Sequence, residues 1–154
     1  MLDERGDRVR FAKADVAVSS HLAVVECHRA IDRARLVGAM DDVAVAIRTK
    51  ELIGFFARLA LVEISSAIVN LARAPFPVPV RALDAIHVAT AQWLLPQVGG
   101  IAFWTHDHRQ ALAALSRGLD VAGITVDASG KKPVGRAEDK RKRYRRARRG
   151  SSVR

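Results

Sequence analysis

The sequence lacks the features that mark secreted and membrane proteins. It contains a single cysteine, Cys27, in 154 residues, which excludes an internal disulfide and fits a reducing compartment. No apolar run approaches the roughly 20 residues that a helix needs to cross a bilayer, and the N-terminus has no basic-then-apolar signal pattern. We therefore expect a cytoplasmic protein without membrane contact, in which Cys27 is a small buried side chain and not a nucleophile.

Acidic residues are scarce at the C-terminal end of the chain. Residues 131–154 contain 12 Lys or Arg and only two acidic residues, whereas residues 1–130 balance to zero and the whole chain carries +10. This pattern predicts a folded domain over residues 1–126 and a basic, disordered tail over residues 127–154. Such a tail binds polyphosphates non-specifically. A solvated tail without function, or translation past an ancestral end, explains the same composition.

Apolar segments of helical and strand-like spacing alternate along the domain, without an internal repeat. The patterns predict helices over residues 21–36, 41–58, 65–73, 80–95 and 108–117. They predict strands over residues 15–18, 101–104 and 121–126, and a short strand or a turn over residues 59–64. This alternation is typical of a three-layer α/β domain with a short parallel sheet flanked by helices. Ligands of such sheets lie beyond the carboxyl ends of the strands.

Three acidic residues lie in segments that are otherwise apolar or strand-like. They are Glu26 in SSHLAVVECHRA, Asp84 in RALDAIHVATA and Asp107 in IAFWTHDHRQ. An ionised carboxylate among apolar side chains costs free energy unless it is paired or neutralised. If the three converge in the fold, a divalent cation between them would relieve their repulsion. A metal site is therefore the hypothesis to test.

Each acidic residue also has a purely structural interpretation. Glu26 is spaced to form an ion pair with Arg29, one helical turn later. Asp84 lies in the first turn of a predicted helix, where the helix dipole stabilises a negative charge. Asp107 and Gln110 have the spacing of a capping box for the helix that follows. None of the three establishes a metal site by itself.

Three histidines lie close to these acids in the sequence. His87 follows Asp84 by one turn, a spacing that suits metal binding, although a hydrogen-bonded core histidine is more common. His106 and His108 flank Asp107 and could act as loop ligands or phosphate contacts. Nothing in the sequence assigns any of the three to the acidic site.

Taken together, these segments resemble the PIN-domain ribonucleases, and among them the VapC toxins of type II toxin–antitoxin systems. VAVSSHLAVVECHRA is similar to the family's strand-then-helix segment with its helical Glu. RALDAIHVATA is similar to the family's most recognisable string, and FWTHDHRQALAAL to its strand–Thr-x-Asp–helix segment. The resemblance covers roughly residues 2–126.

The resemblance implies a divalent-metal-dependent endoribonuclease toxin that cleaves structured RNA, such as transfer or ribosomal RNA. It implies that Glu26, Asp84 and Asp107 hold Mg²⁺ or Mn²⁺ through oxygen, and that Thr105 positions water or a ligand. The metal would assist phosphodiester hydrolysis. A cognate antitoxin would inhibit the toxin by inserting a peptide into the acidic groove, and homodimers are common in the family.

The family's usual first strand, which ends in a metal-binding Asp followed by Thr or Ser, has no counterpart here. Leu2-Asp3 lacks a preceding apolar strand, and Glu4 stands in the hydroxyl position. We therefore expect three metal-site acids instead of four, exposed edges on the neighbouring strands, and a true start upstream. Two alternatives to an active nuclease stay open. One is an inactive remnant that binds antitoxin or RNA, and the other is a nucleic-acid-binding module acting through the tail.

Overall fold

The structure is a computed structural model, and it describes residues 16–126 of the chain. Within this range the chain forms five helices and four strands, in the order β1 (Val18–Ser20), α1 (Leu22–Leu36), α2 (Asp42–Phe56), β2 (Ala60–Val62), α3 (Ser66–Ala72), α4 (Ala82–Val98), β3 (Ala102–Trp104), α5 (His108–Ser116) and β4 (Asp120–Ala122). The mixed α/β class predicted from the sequence is confirmed. The predicted basic tail and the Leu2-Asp3 segment lie outside the described residues.

The four strands pair in parallel but do not form the single sheet that the sequence predicts. Within residues 16–126, β1 pairs with β2, and β3 pairs with β4, as two separate two-stranded sheets. Val18 lies opposite Ala60 in the first sheet, and Ala102 lies opposite Asp120 in the second. Each strand is three residues long, so each pair exchanges few ladder hydrogen bonds.

Polar side chains cap two helices at their starts. The Asp41 carboxylate accepts a 2.7 Å hydrogen bond from the backbone N–H of Ala44 at the start of α2. The Ser65 hydroxyl accepts from the N–H of Ile68 at the start of α3. Both contacts satisfy a backbone donor that has no partner inside the helix.

Helix α1 begins within one residue of its predicted start at residue 21. Ser19 and Ser20 belong to β1, opposite Leu61 and Val62, and are not the residues that precede the helix. His21 is the N-cap residue and makes no side-chain capping hydrogen bond. The Ser20 hydroxyl still accepts from the N–H of Leu22 at 3.3 Å, so its capping chemistry is used from the end of the strand.

Helix α4 is the central element of the described domain. It packs against α3, α5 and β1, and its Val88 and Ala91 form the core with Ala113, Ala114 and Leu119. The helix runs past its predicted end, with Pro96 in the last turn, and stops at Gly99 in the left-handed conformation. Within residues 16–126, no helix combines the length and apolarity needed to cross a membrane.

The Pro-rich connection between α3 and α4 packs against the core. Phe76, Val78 and Val80 pack against the buried cluster. The Arg117 guanidinium lies over the Phe76 ring, 4.5 Å from its centroid, and donates to the carbonyl oxygens of Ala74 and Pro75. The connection therefore fixes the approach of the chain to the N-terminal end of α4.

Candidate functional site

Glu26 contacts α4 instead of a neighbour on its own helix. Its Oε2 lies 2.6 Å from Nε2 of His87, a hydrogen bond between residues 61 positions apart. The predicted pairing with Arg29 is wrong, because the Arg29 guanidinium pairs with Asp32 at 3.1 Å. Both members of the Glu26–His87 pair are partly buried, so the contact joins α1 to α4 at a semi-protected position.

Asp84 lies in the first turn of α4, one turn before His87. Side chains three residues apart on a helix are neighbours, with Cβ atoms about 5–6 Å apart. The Glu26 carboxylate, through His87, is therefore held close to the helix end that carries Asp84. Arg81, the N-cap residue, makes no capping hydrogen bond, and the partly buried Asp84 supplies the negative charge that the helix dipole favours.

Asp107 is the N-cap residue of α5. Its Oδ1 accepts hydrogen bonds from the backbone N–H groups of Arg109 at 2.8 Å and Gln110 at 3.0 Å. The predicted capping role is therefore confirmed for the Asp107 side chain. The residue is exposed, so its carboxylate is also open to solvent.

Thr105 completes this cap in a way that the sequence does not indicate. Its buried hydroxyl accepts from the N–H of Asp107 at 3.1 Å and donates to Oε1 of Gln110 at 2.6 Å. In an ordinary capping box, the Gln side chain would itself reach the N–H of the N-cap residue. Here Thr105 connects the two, and thereby fixes the backbone that carries the Asp107 carboxylate.

The three carboxylates are chemically suited to a divalent metal ion, but the structure does not bring them together into one site. Oxygen donors are those that Mg²⁺ and Mn²⁺ prefer. Within residues 16–126, however, no three His, Cys, Asp or Glu side chains lie close enough to hold a metal ion together. Glu26 is next to His87, and Asp107 is part of a helix cap. A common pocket for Glu26, Asp84 and Asp107 stays a prediction.

A second histidine–carboxylate pair was missed at the sequence level. His21 and Glu63 directly follow β1 and β2, and the His21 Nδ1 lies 2.5 Å from the Glu63 Oε1. The carboxyl ends of neighbouring parallel strands meet at one edge of a sheet, where ligands commonly bind. The available signal was the position of each residue after a strand, but the segment of β2 was equally consistent with a turn.

The remaining histidines and the cysteine have modest roles. His106 Nδ1 lies 2.9 Å from the carbonyl oxygen of Gly123, and His108 is the first residue of α5. Cys27 is partly buried, and burial together with the charge of Glu26 raises the pKa of its thiol. A raised pKa lowers the thiolate fraction, in line with its interpretation as a packing residue.

Comparison with known proteins finds no match to this chain. No family model matches the chain, no curated protein matches it, and no solved structure matches it. The resemblance to the PIN-domain ribonucleases therefore rests on the three sequence segments alone.

Proposed function

We propose that the protein is a divalent-metal-dependent endoribonuclease of the VapC type, with a three-layer PIN-like domain. One contact supports this most directly. The 2.6 Å hydrogen bond between Glu26 and His87 holds the helical Glu of α1 beside the turn of α4 that carries Asp84. Glu26 is therefore connected, through His87, to the helix whose first turn carries Asp84.

The proposed roles of the metal-site acids follow from the resemblance, and those of His87 and Thr105 from their hydrogen bonds. Glu26, Asp84 and Asp107 supply the carboxylate oxygens for Mg²⁺ or Mn²⁺, which, when bound, polarises the phosphodiester and lowers the pKa of a bound water. His87 orients the Glu26 carboxylate, and Thr105 fixes the backbone of Asp107 through its two hydrogen bonds. The substrate class is structured RNA, such as transfer or ribosomal RNA.

An antitoxin as partner is supported by the surface of the α1–α2 hairpin. Large apolar side chains on this hairpin are exposed, namely Val25, Leu36, Val37, Val43, Ile47, Ile53 and Phe55. Exposed apolar side chains in such number on one helical hairpin favour a protein–protein interface. In the proposed function, a cognate antitoxin in the cytoplasm inserts a peptide into the acidic groove and keeps the nuclease inactive, and these apolar side chains offer it further contacts. A homodimer would use the same kind of surface.

The proposal is tested by RNA cleavage with the purified full chain and Mg²⁺ or Mn²⁺. Asp84→Asn should slow cleavage by at least about 10-fold, because one oxygen charge of the metal site is lost. The matched control is Asp120→Asn, which removes an exposed carboxylate from β4. Cleavage that proceeds equally fast in Asp84→Asn, or that is unaffected by a chelator, would exclude the proposed mechanism. Circular dichroism confirms that each variant is folded.

A catalytically inactive protein that still binds antitoxin or RNA is the second candidate. It is favoured by the hydrogen bonds that already engage Glu26 and Asp107, and by the lack of a three-ligand group among the described residues. RNA binding without cleavage at any concentration of either metal, unchanged by Asp84→Asn, would establish this reading. A pure tail-driven binder would lose its affinity when the arginines and lysines of residues 140–143 are replaced by glutamine.

A further inference from the structure

Three residues at the start of α5 form a closed ring of hydrogen bonds. The Asp107 Oδ1 accepts from the backbone N–H of Gln110 at 3.0 Å, and the Thr105 hydroxyl accepts from the N–H of Asp107 at 3.1 Å. The Gln110 side chain closes the ring, because its Oε1 accepts the Thr105 hydroxyl hydrogen at 2.6 Å. Each residue of the ring therefore restrains the other two.

The Thr105 hydroxyl has no second hydrogen to donate. A hydroxyl carries one hydrogen and two acceptor lone pairs, and the hydrogen of this one is donated to Gln110. Its other contact is the hydrogen bond that it accepts from the Asp107 N–H. Thr105 is buried, so solvent competes little for the hydroxyl hydrogen. The Gln110 oxygen therefore sets the orientation of the hydroxyl, and with it the lone pair that faces the backbone of Asp107.

The ring commits one oxygen of the Asp107 carboxylate and leaves the other open. Both hydrogen bonds that the carboxylate accepts, from the N–H groups of Arg109 and Gln110, end on Oδ1. Among residues 16–126, no group donates a hydrogen bond to Oδ2, and the residue is exposed. Since the two oxygens belong to one planar carboxylate, fixing Oδ1 on the helix end restricts the direction of Oδ2. Oδ2 is therefore the oxygen that a ligand can reach.

We propose that Gln110 is a positioning residue for the Asp107 carboxylate, that it acts through Thr105, and that Oδ2 is the oxygen held in position for the divalent cation. The cation rests on the proposed function, whereas the positioning of Asp107 rests on the ring alone. Replacing a group that orients a metal-binding carboxylate typically costs about 10–100-fold in metal affinity or activity. Glutamine suits this place because its amide oxygen accepts the hydroxyl hydrogen without adding a second negative charge beside Asp107.

The first test compares Gln110→Met with Gln110→Glu in the full chain. Methionine keeps the length and helix propensity of glutamine but has only a weak acceptor, whereas glutamate keeps a carboxyl oxygen for the Thr105 hydroxyl. In amide hydrogen exchange followed by NMR, the Asp107 N–H should exchange about 3-fold faster or more in Gln110→Met, and close to the unmodified rate in Gln110→Glu. The matched control is Gln97→Met, because the Gln97 side chain donates to the Trp93 carbonyl oxygen within α4. This control should leave exchange at Asp107 unchanged.

The second test, RNA cleavage at varied Mn²⁺ concentration, separates positioning from a folding defect. Gln110→Met should raise the Mn²⁺ concentration that gives the half-maximal rate by about 10-fold or more, with a smaller change in the rate at saturating Mn²⁺. A folding defect would instead lower the rate by one factor at every Mn²⁺ concentration. Thr105→Val breaks the same ring, so combining it with Gln110→Met should raise the Mn²⁺ requirement little beyond that of Gln110→Met alone.

The two tests distinguish this inference from the proposed nuclease. Faster exchange at Asp107 in Gln110→Met, in a chain that cleaves no RNA, supports the positioning role and not the nuclease. The positioning role is overturned if exchange at Asp107 is unchanged in Gln110→Met, or if Gln110→Glu or Gln97→Met accelerates it equally. It is also overturned if an active chain needs the same Mn²⁺ concentration with and without Gln110→Met, and in that case the nuclease itself stands.

Discussion

The α1–α2 hairpin and the helices α4 and α5 have very different packing. No residue of α1 is buried, and Phe56 is the only buried residue of α2. Helix α4 buries five residues and α5 buries three. Since burial of apolar surface is the main stabilising term in folding, α4 and α5 supply the stability of the described domain. The hairpin instead leaves several large apolar side chains exposed, among them Leu36 and Val43.

The candidate site lies across the boundary between these two regions. Glu26 belongs to the hairpin, whereas Asp84 and Asp107 belong to the well-packed part. In the well-packed part, hydrogen bonds with Thr105 and Gln110 fix the position of Asp107. The position of Glu26 depends on its contact with His87. The distance between Glu26 and the other acids is therefore the part of the site that a partner on the hairpin could change.

The largest effect is expected from a matched pair of leucine substitutions. Leu119 is 2% exposed in the core, and Leu36 is 71% exposed at the end of α1. Leu119→Ala should lower the free energy of unfolding by about 2–5 kcal/mol because it leaves a cavity, whereas Leu36→Ala should change it by about 0.5 kcal/mol or less. Urea denaturation measures both. Equal losses of unfolding free energy would contradict the difference in packing between the core around α4 and α5 and the exposed α1–α2 hairpin.

A pair of glycine substitutions should give the next largest effect. Gly123 and Gly38 both have positive φ, +86° and +71°, but a Cβ at Gly123 would lie 2.8 Å from the Thr105 carbonyl oxygen, whereas Gly38 has open space. Gly38→Ala should cost about 1–2 kcal/mol from its left-handed backbone alone. Gly123→Ala should cost more, and it should also shift the Trp104 fluorescence in a Trp93→Phe protein, where Trp104 is the one remaining Trp. A smaller cost for Gly123→Ala would show that β3 and β4 relax easily.

Much of the local structure could be predicted from the sequence, because short-range rules determine it. Helices α2, α3 and α5 begin close to their predicted starts, and Asp107 caps α5 as its spacing to Gln110 indicates. The division of the strands into two separate sheets could not be predicted, since pairing among three-residue strands depends on long-range packing that periodicity does not report.

The candidate site shows the same limit at the level of side chains. The sequence motif identifies Glu26 as a candidate site residue, but helical spacing suggests Arg29 as its ion-pair partner. The observed partner, His87, is 61 residues away, and only the packing of α1 near α4 selects it. Likewise, the spacing of Asp107 and Gln110 indicates a cap, but the part taken by Thr105 depends on its burial in the strand end.

A double-mutant cycle would measure how strongly the hairpin is held to α4. Glu26→Gln and His87→Gln should each lower the free energy of unfolding by about 0.5–1.5 kcal/mol. The double variant should cost less than their sum, because each substitution removes the same contact. Asp32→Asn, which affects only the ion pairs of Asp32 with Arg29 and Arg35 within α1, is the control and should cost less than about 0.5 kcal/mol. Strict additivity would mean that the contact does not join the two regions in solution.

The smallest expected effect concerns the thiol beside Glu26. Burial and the Glu26 charge raise the pKa of Cys27, so at about pH 8 its reaction with a disulfide reagent should be slower than that of free cysteine. Glu26→Gln removes the negative charge and should lower this pKa and speed the reaction by less than about 10-fold. Asp32→Asn should leave the rate unchanged. A reaction midpoint at or below that of free cysteine would mean that α1 opens away from α4.

The same pKa shift predicts a pH dependence of stability with a definite sign. As the pH rises past the ordinary thiol pKa, the unfolded chain loses the Cys27 proton before the folded chain does. The contribution of the thiol is therefore intact below that pH and is lost as the pH rises through the raised pKa of the folded state. Cys27→Ala should remove this alkaline loss, and Glu26→Gln should reduce it. If neither variant differs from the unmodified chain between about pH 8 and pH 10, the hairpin does not hold Cys27 beside the Glu26 carboxylate in solution.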